Sequence, residues 1–213
     1  MTAETDARQG ANRVARRKAR TRQALITAAR DVLASGGSTD LSVQELTEAA
    51  DVGLGSFYNH FTSKAELFEA AVLEVLEQHG QYLDDLLPDV EDPAEVFAAS
   101  VRLTGRLVGT HPHMARILAR SGMAYLEADR GLAPRALRDI ERGIASGQFT
   151  VRNAYVALAS TAGSLLAFLH LRLSGGDVVE ADADELAEQV LRMLGMPPDV
   201  AHEIAHRPLP DRS

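Results

Sequence analysis

Between Ser42 and Lys64 the chain sets out polar side chains that can read and grip a polyanion. Gln44 and Asn59 carry amides, Ser42, Ser56 and Tyr58 hydroxyls, His60 an imidazole and Lys64 an ammonium. Ser56, Tyr58, Asn59 and His60 have little bulk and could approach a groove closely, and the Tyr58 phenol and the Lys64 ammonium can reach a phosphate. Just upstream, eight Lys or Arg and no acidic residue fall between Arg8 and Arg30, although the whole chain has a net charge of -8. Residues 65 to 213 supply the opposite balance, thirteen basic against twenty-three acidic. A basic run by itself is equally a solvated helix face or a disordered tail; the polar set beside it favours nucleic acid.

Other chemistries have less to work with. There is no cysteine, so disulfides, thiolate metal sites and thiol switches are excluded. His111 and His113, and separately His202 and His206 at i and i+4, have spacings a metal could use, but the sequence fixes no acidic or third ligand beside either pair. No metal or cofactor is expected. No Gly-x-Ser-x-Gly turn, phosphate-binding loop or dinucleotide fingerprint is present, and the chain is not expected to be an enzyme.

The elements that must position these residues read as helices throughout. Apolar residues recur at three and four positions, breakers sit between segments, and no sustained alternation appears, which makes the fold class all-α. A first helix is predicted from about Ala11 to Ala34, with Leu25, Ala28, Ala29, Val32 and Leu33 buried and Gly36-Gly37 as its stop. Arg13, Arg16, Arg17 and Arg20 share one face at its front. Ser42 and Glu45 match a capping box opening a short helix to about Ala50. Asp51-Val52-Gly53 is a tight turn, and Leu54 to Phe61 a second short helix, with Val52, Phe57 and Phe61 in the core. Ser63 and Glu66 give another capping box before a long helix to about Leu87, ahead of Pro88. Further helices are predicted over Pro93 to Thr110, Pro112 to Arg120, Ala133 to Ala145, Asn153 to Leu173, Asp182 to Leu194 and Pro198 to His206. The long helix from Ser63 should couple the basic headpiece mechanically to the acidic body. The stretch Ala154 to Leu173 is broken by Ser160, Thr161, Ser164, His170 and Arg172, and no cleavable leader follows Met1, so a soluble cytoplasmic protein is expected.

Two short helices and a three-residue turn make a helix-turn-helix, in which the first helix braces the second against the major groove. At these residues, Leu41-Ser42-Val43-Gln44-Glu45-Leu46 through Gly55-Ser56-Phe57-Tyr58-Asn59-His60-Phe61-Thr62-Ser63-Lys64-Ala65-Glu66-Leu67, the chain resembles the DNA-binding headpiece of the TetR family. The resemblance implies a basic arm over residues 1 to 18, a DNA-binding domain over 19 to 79 and a ligand-binding and dimerisation domain over 80 to 213. It implies that Gln44, Leu54, Gly55, Ser56 and Asn59 face bases, that Ser42, Tyr58, His60 and Lys64 contact phosphates, and that Arg13, Arg17 and Arg20 belong to an arm along the backbone or minor groove. Two departures stand out: Asp51 replaces the family's usual glycine, and Gly53 its usual polar cap. Asp tolerates a left-handed turn and Gly an N-cap position, so the turn should survive. Leu54 occupies a place where polar or basic residues are common; it can pack on thymine methyls but cannot hydrogen-bond a base.

In the body, Arg142-Gly143-Ile144-Ala145-Ser146-Gly147-Gln148-Phe149 and the apolar helix after it resemble the approach to the family's dimerisation helices. These would be Asn153 to Leu173 and Asp182 to Leu194, whose small residues allow close approach across a two-fold axis. The resemblance further implies a homodimeric repressor released from a palindromic DNA operator by a small effector. Phe97, Val101, Leu118, Met123, Tyr125, Leu137, Ile144 and Phe168 are candidate pocket residues, each equally suited to plain core packing, and with few aromatics a hydrophobic effector is expected. Two other readings stay open: an architectural protein that binds DNA without sequence choice, and a helical enzyme or ligand carrier with a vestigial headpiece.

Overall fold

A computed structural model describes residues 3–35, 40–122, 126 and 128–210, with side chains from Asn12 onward. Among the described residues the chain is all helical: α1 (Ala3–Ser35), α2 (Val43–Ala49), α3 (Leu54–Phe57), α4 (Lys64–Leu86), α5 (Pro93–Gly105), α6 (Leu107–Thr110), α7 (Pro112–Ser121), α8 (Leu132–Ala145), α9 (Ala154–Leu173), α10 (Asp182–Met193) and α11 (Pro198–Ala205). The chain divides into two compact units, Met1–Val72 and Leu73–Ser213, and α4 contributes residues to both.

The headpiece core is apolar. Leu25 and Ile26 of α1, Leu46 of α2, Phe57 of α3, Phe61 and Leu67 are almost completely buried. The Phe57 and Phe61 rings lie 6.0 Å apart, and the Arg22 guanidinium sits 5.2 Å above the Phe61 ring. Val32 and Val52, expected inside, are half-buried, while Ile26 takes a core place that the predicted stripe omitted. The first helix starts eight residues before the expected Ala11. Its expected stop at Gly36-Gly37 lies outside the described residues.

Two local devices set the helix-turn-helix. Ser42 caps α2 as expected: its hydroxyl accepts the Glu45 N–H at 3.1 Å, and its own N–H donates to the Glu45 carboxylate at 2.7 Å. Asp51 then takes φ 52°, the left-handed conformation that the turn demands of a residue with a side chain. The recognition helix is shorter than predicted. It ends at Phe57, and the Asn59 and His60 N–H groups donate to the carbonyls three residues back, a tighter turn that carries the chain to Phe61. At the start of α4, Ser63 accepts the Glu66 N–H, but the Glu66 carboxylate reaches Thr62 (N at 2.6 Å, Oγ1 at 2.7 Å) rather than Ser63. The second predicted box is therefore split over two residues.

In the body, α5 packs on α8, α10 and α11, and α9 packs on α7 and α8. The predicted Pro93 to Thr110 helix breaks at Arg106 into α5 and α6. Just before the break, Gly105 lies against Ala183 of α10, where an added Cβ would stand 3.0 Å from the alanine methyl and force its neighbours to give way slightly. The Phe149 ring sits directly over Gly143 of α8, where a Cβ would collide with it, and Gly147 takes φ 79° to turn the chain back. Phe149 also meets Phe97 of α5 edge-on at 6.0 Å, fixing α8 against α5. α9 is the one described helix with the length and composition to cross a bilayer. Its Ala157, Leu158, Thr161, Ala162, Phe168 and Leu169 are buried in the body, and its Tyr155, Val156 and Leu171 are exposed.

Candidate nucleic-acid interface and ligand cavity

The headpiece presents its polar groups outward. Arg13, Arg17 and Arg20 are exposed on α1, Ser42 and Gln44 at the start of α2, and Leu54, Gly55, Tyr58 and Asn59 on and after α3. Ser56, His60 and Lys64 are half-buried. Several are already engaged within the headpiece. Gln44 Nε2 donates to Glu48 at 2.9 Å, and the Ser42 hydroxyl proton goes to the Glu45 carboxylate at 2.7 Å. Lys64 Nζ donates to the Leu41 carbonyl at 2.8 Å, which ties the start of α4 to the segment leading into α2. Burial, then the positive charges of Lys18 and Arg22, hold the His60 imidazole below its ordinary range, so it offers a neutral N–H in a basic field. Gly55 is distinctive. A Cβ there would meet nothing within 4 Å, so the fold itself does not require glycine.

Within the body, α4, α5, α8 and α9 enclose a cavity of about 460 Å³. Phe97, Val101, Leu158 and Leu165 furnish an apolar wall, and Asp84, Arg135, Arg138 and Asp139 a charged one. The charged wall is a continuous chain of ion pairs. Arg135 Nε donates to Asp84 at 2.6 Å, while its two terminal nitrogens hold Glu77 at 2.8 and 2.9 Å. Arg138 donates to Asp84 at 3.2 Å and to Asp139 at 2.9 Å. The Arg135 hydrogen bonds hold the Glu77 carboxyl at about 2, well below the usual carboxylate range, and the same contacts raise Arg135 further above its ordinary value. Among the described residues, Nη1 of Arg138 makes no hydrogen bond.

Two threonines complete the polar lining. Thr104 Oγ1 donates to the Ser100 carbonyl at 2.7 Å, so with its proton spent it accepts from His79 Nε2 at 2.9 Å. His79 is buried, stacked on Tyr82, and pushed down to about 4 by desolvation and then by His111. Thr161 is also buried at the cavity, and its hydroxyl has no hydrogen-bond partner among the described residues.

Of the predicted pocket residues, Phe97 and Val101 line this cavity. Leu118 and Phe168 are buried elsewhere in the core, and Leu137 and Ile144 are half-buried on α8, which turns Arg135, Arg138, Asp139 and Arg142 to the cavity instead. Met123 and Tyr125 lie outside the described residues. Sequence reasoning missed the charged wall. Its one signal is the spacing of Arg135, Arg138, Asp139 and Arg142, which puts four charged residues at i, i+3, i+4 and i+7 on one helix face.

Comparison with known proteins places these features in a lineage. Residues 25–71 match the model of bacterial regulatory proteins of the tetR family, and residues 92–207 match that of the tetracyclin repressor-like C-terminal domain. The crystal structure of RolR in complex with the ligand resorcinol is 36% identical, with a TM-score of 0.75 over 92% of this chain and 98% of that one. An uncharacterised helix-turn-helix regulator of Haemophilus influenzae is 26% identical over 84% of this chain and 89% of its own length. The fatty acid degradation regulator FadR of Bacillus halodurans, 15% identical with a TM-score of 0.60 over 79% of this chain and 97% of that one, shares the fold. With matches spanning both the headpiece and the body, the chain belongs to the TetR family and is a DNA-binding transcriptional regulator rather than an enzyme.

Proposed function

We propose that this regulator is a homodimeric repressor of the bacterial cytoplasm, released from a palindromic operator when a small hydroxylated aromatic enters the body cavity. The observation that carries the reading is the mixed lining: apolar Phe97, Val101, Leu158 and Leu165 from α5 and α9, together with the Asp84, Arg135, Arg138 and Asp139 chain from α4 and α8. A purely hydrophobic effector, the expectation from composition, would satisfy only the apolar residues. A ring bearing hydroxyls satisfies both, with the buried Thr161 hydroxyl as the group lacking a partner among the described residues. RolR, the 36% identical relative, binds such a molecule in resorcinol.

The headpiece reading rests on exposure and charge. Tyr58 and Asn59 are exposed, Lys18 and Arg22 of α1 lie close enough to act on the neighbouring His60, and Gly55 has no task in the fold that explains it, whereas close approach to a groove does. Dimerisation through α9 and α10, within the predicted segments 153–173 and 182–194, is supported by the apolar groups that α9 leaves uncovered, Tyr155 (66%), Val156 (61%) and Leu171 (46%), interleaved with Ala159, Gly163 and Ala167. Because α4 begins beside the recognition helix and ends in the cavity wall, it is the element able to carry the ligand's effect to the DNA.

The test uses the full chain and its own upstream DNA in a mobility-shift titration, with resorcinol and toluene as paired probes. Dimers should bind a palindrome selectively, and resorcinol but not toluene should release it. Affinity indifferent to sequence at physiological salt, or equal release by toluene, overturns the reading.

A further inference from the structure

At the C-terminal end of the body, α10 packs against α11. This contact brings the Glu188 carboxylate to the histidine pair whose spacing was noted in the sequence: Glu188 Oε2 lies 2.8 Å from His202 Nδ1. One ligating atom from each of Glu188, His202 and His206 lies within 4.8 Å of the other two. We propose that these three side chains form a surface site for a divalent transition-metal ion of the zinc class.

The donor set is two imidazoles and a carboxylate, which suits zinc and its neighbours and leaves coordination positions for water. His206 Nδ1 is hydrogen-bonded to the His202 carbonyl at 2.8 Å. That bond places the His206 proton on Nδ1 and the lone pair on Nε2, the outer-shell arrangement that orients a ligating imidazole. The two rings lie side by side with centroids 4.1 Å apart. Two imidazolium cations held so close would repel, whereas one shared cation takes lone pairs from both. Ligands about 2.0–2.1 Å from a tetrahedral ion stand roughly 3.3 Å from one another, so Glu188 and His202 need open by only about half an ångström. Arg192 faces the other carboxylate oxygen of Glu188 at 3.8 Å and leaves Oε2 to the ion. His202 is 63% exposed, so the ion has direct access from solvent. Bound metal would fasten α11 to α10 and stabilise the body by linkage.

The experiment uses untagged full-length protein stripped with chelator. Zn²⁺ is titrated by calorimetry and Co²⁺ by visible absorption, with folding checked by circular dichroism. The wild type should bind one ion per chain and show the intense visible bands of low-coordinate Co²⁺. H202A/H206A should lose saturable uptake, E188Q should weaken it by about ten-fold or more, and H111A/H113A should bind as the wild type does. An absence of saturable uptake by the wild type, or equal uptake by H202A/H206A, overturns the site.

Discussion

The headpiece and the body treat polar groups in opposite ways. Around Leu25, Ile26, Leu46, Phe57 and Phe61 the headpiece interior is apolar, and among the described residues Thr47 is its one buried polar side chain. Its cations and amides stand outside. The body instead buries His79, Arg102, Thr104, Asp139 and Thr161, and most of their polar atoms are matched by partners inside the fold. A surface that meets a polyanion gains by leaving its charge for the partner to neutralise. A cavity that meets a small molecule has to satisfy its polar groups beforehand, because water cannot be relied upon to do so.

The strongest way to break this contrast is to hollow the apolar interior. Phe61→Ala should cost about 3–5 kcal/mol of headpiece stability and abolish DNA binding. Chemical denaturation of the full chain should show the loss, while calorimetric binding of resorcinol by the body persists. Next is acid. His79 is held at about 4 when folded against an ordinary 6.5, so between these values the unfolded chain takes up a proton that the folded one refuses. Stability contributed by neutral His79 is therefore complete above pH 6.5 and falls by about 3 kcal/mol as pH drops toward 4. Denaturation curves across that window should show the slope in the wild type and lose it in His79→Gln. The depressed Glu77 carboxyl acts in a separate, lower window, from the usual carboxylate range down to about 2.

Smaller changes sharpen the comparison. Arg135→Ala leaves Glu77 and Asp84 without their shared cation and should cost about 1–3 kcal/mol, together with resorcinol binding. Tyr58→Phe should weaken operator binding by about 1 kcal/mol, or roughly five-fold, without moving the melting temperature. Gly55→Ala should leave stability unchanged or raise it by up to about 1 kcal/mol, since the site is open and alanine is the better helix former. Operator affinity, read by mobility shift, should nonetheless fall.

The parts legible in the sequence are those fixed by near neighbours. The Ser42–Glu45 box and the left-handed Asp51 each depend on residues within three positions. Where two neighbours competed, as Thr62 and Ser63 did for Glu66, the pattern could not choose between them. The charged wall was hidden for a different reason. Asp84 and Asp85 are adjacent and identical in type, yet Asp84 joins Arg135 at the cavity and Asp85 pairs with Gln81 on the outside. Only packing separates them. Glu188 reaches His202 in the same way, through the contact of two helices rather than through spacing.

The wall of Asp84, Arg135, Arg138 and Asp139 has a consequence for signalling. Hydrocarbon chains are common in any cell, and all of them could wet the apolar lining of Phe97 and Leu158. The groups of the charged wall already bond one another, so a hydrocarbon gains nothing from them, whereas a molecule bearing hydroxyls can add hydrogen bonds of its own. On the proposed reading of the cavity, the wall would filter out false alarms, favouring hydroxylated molecules over plain hydrocarbons.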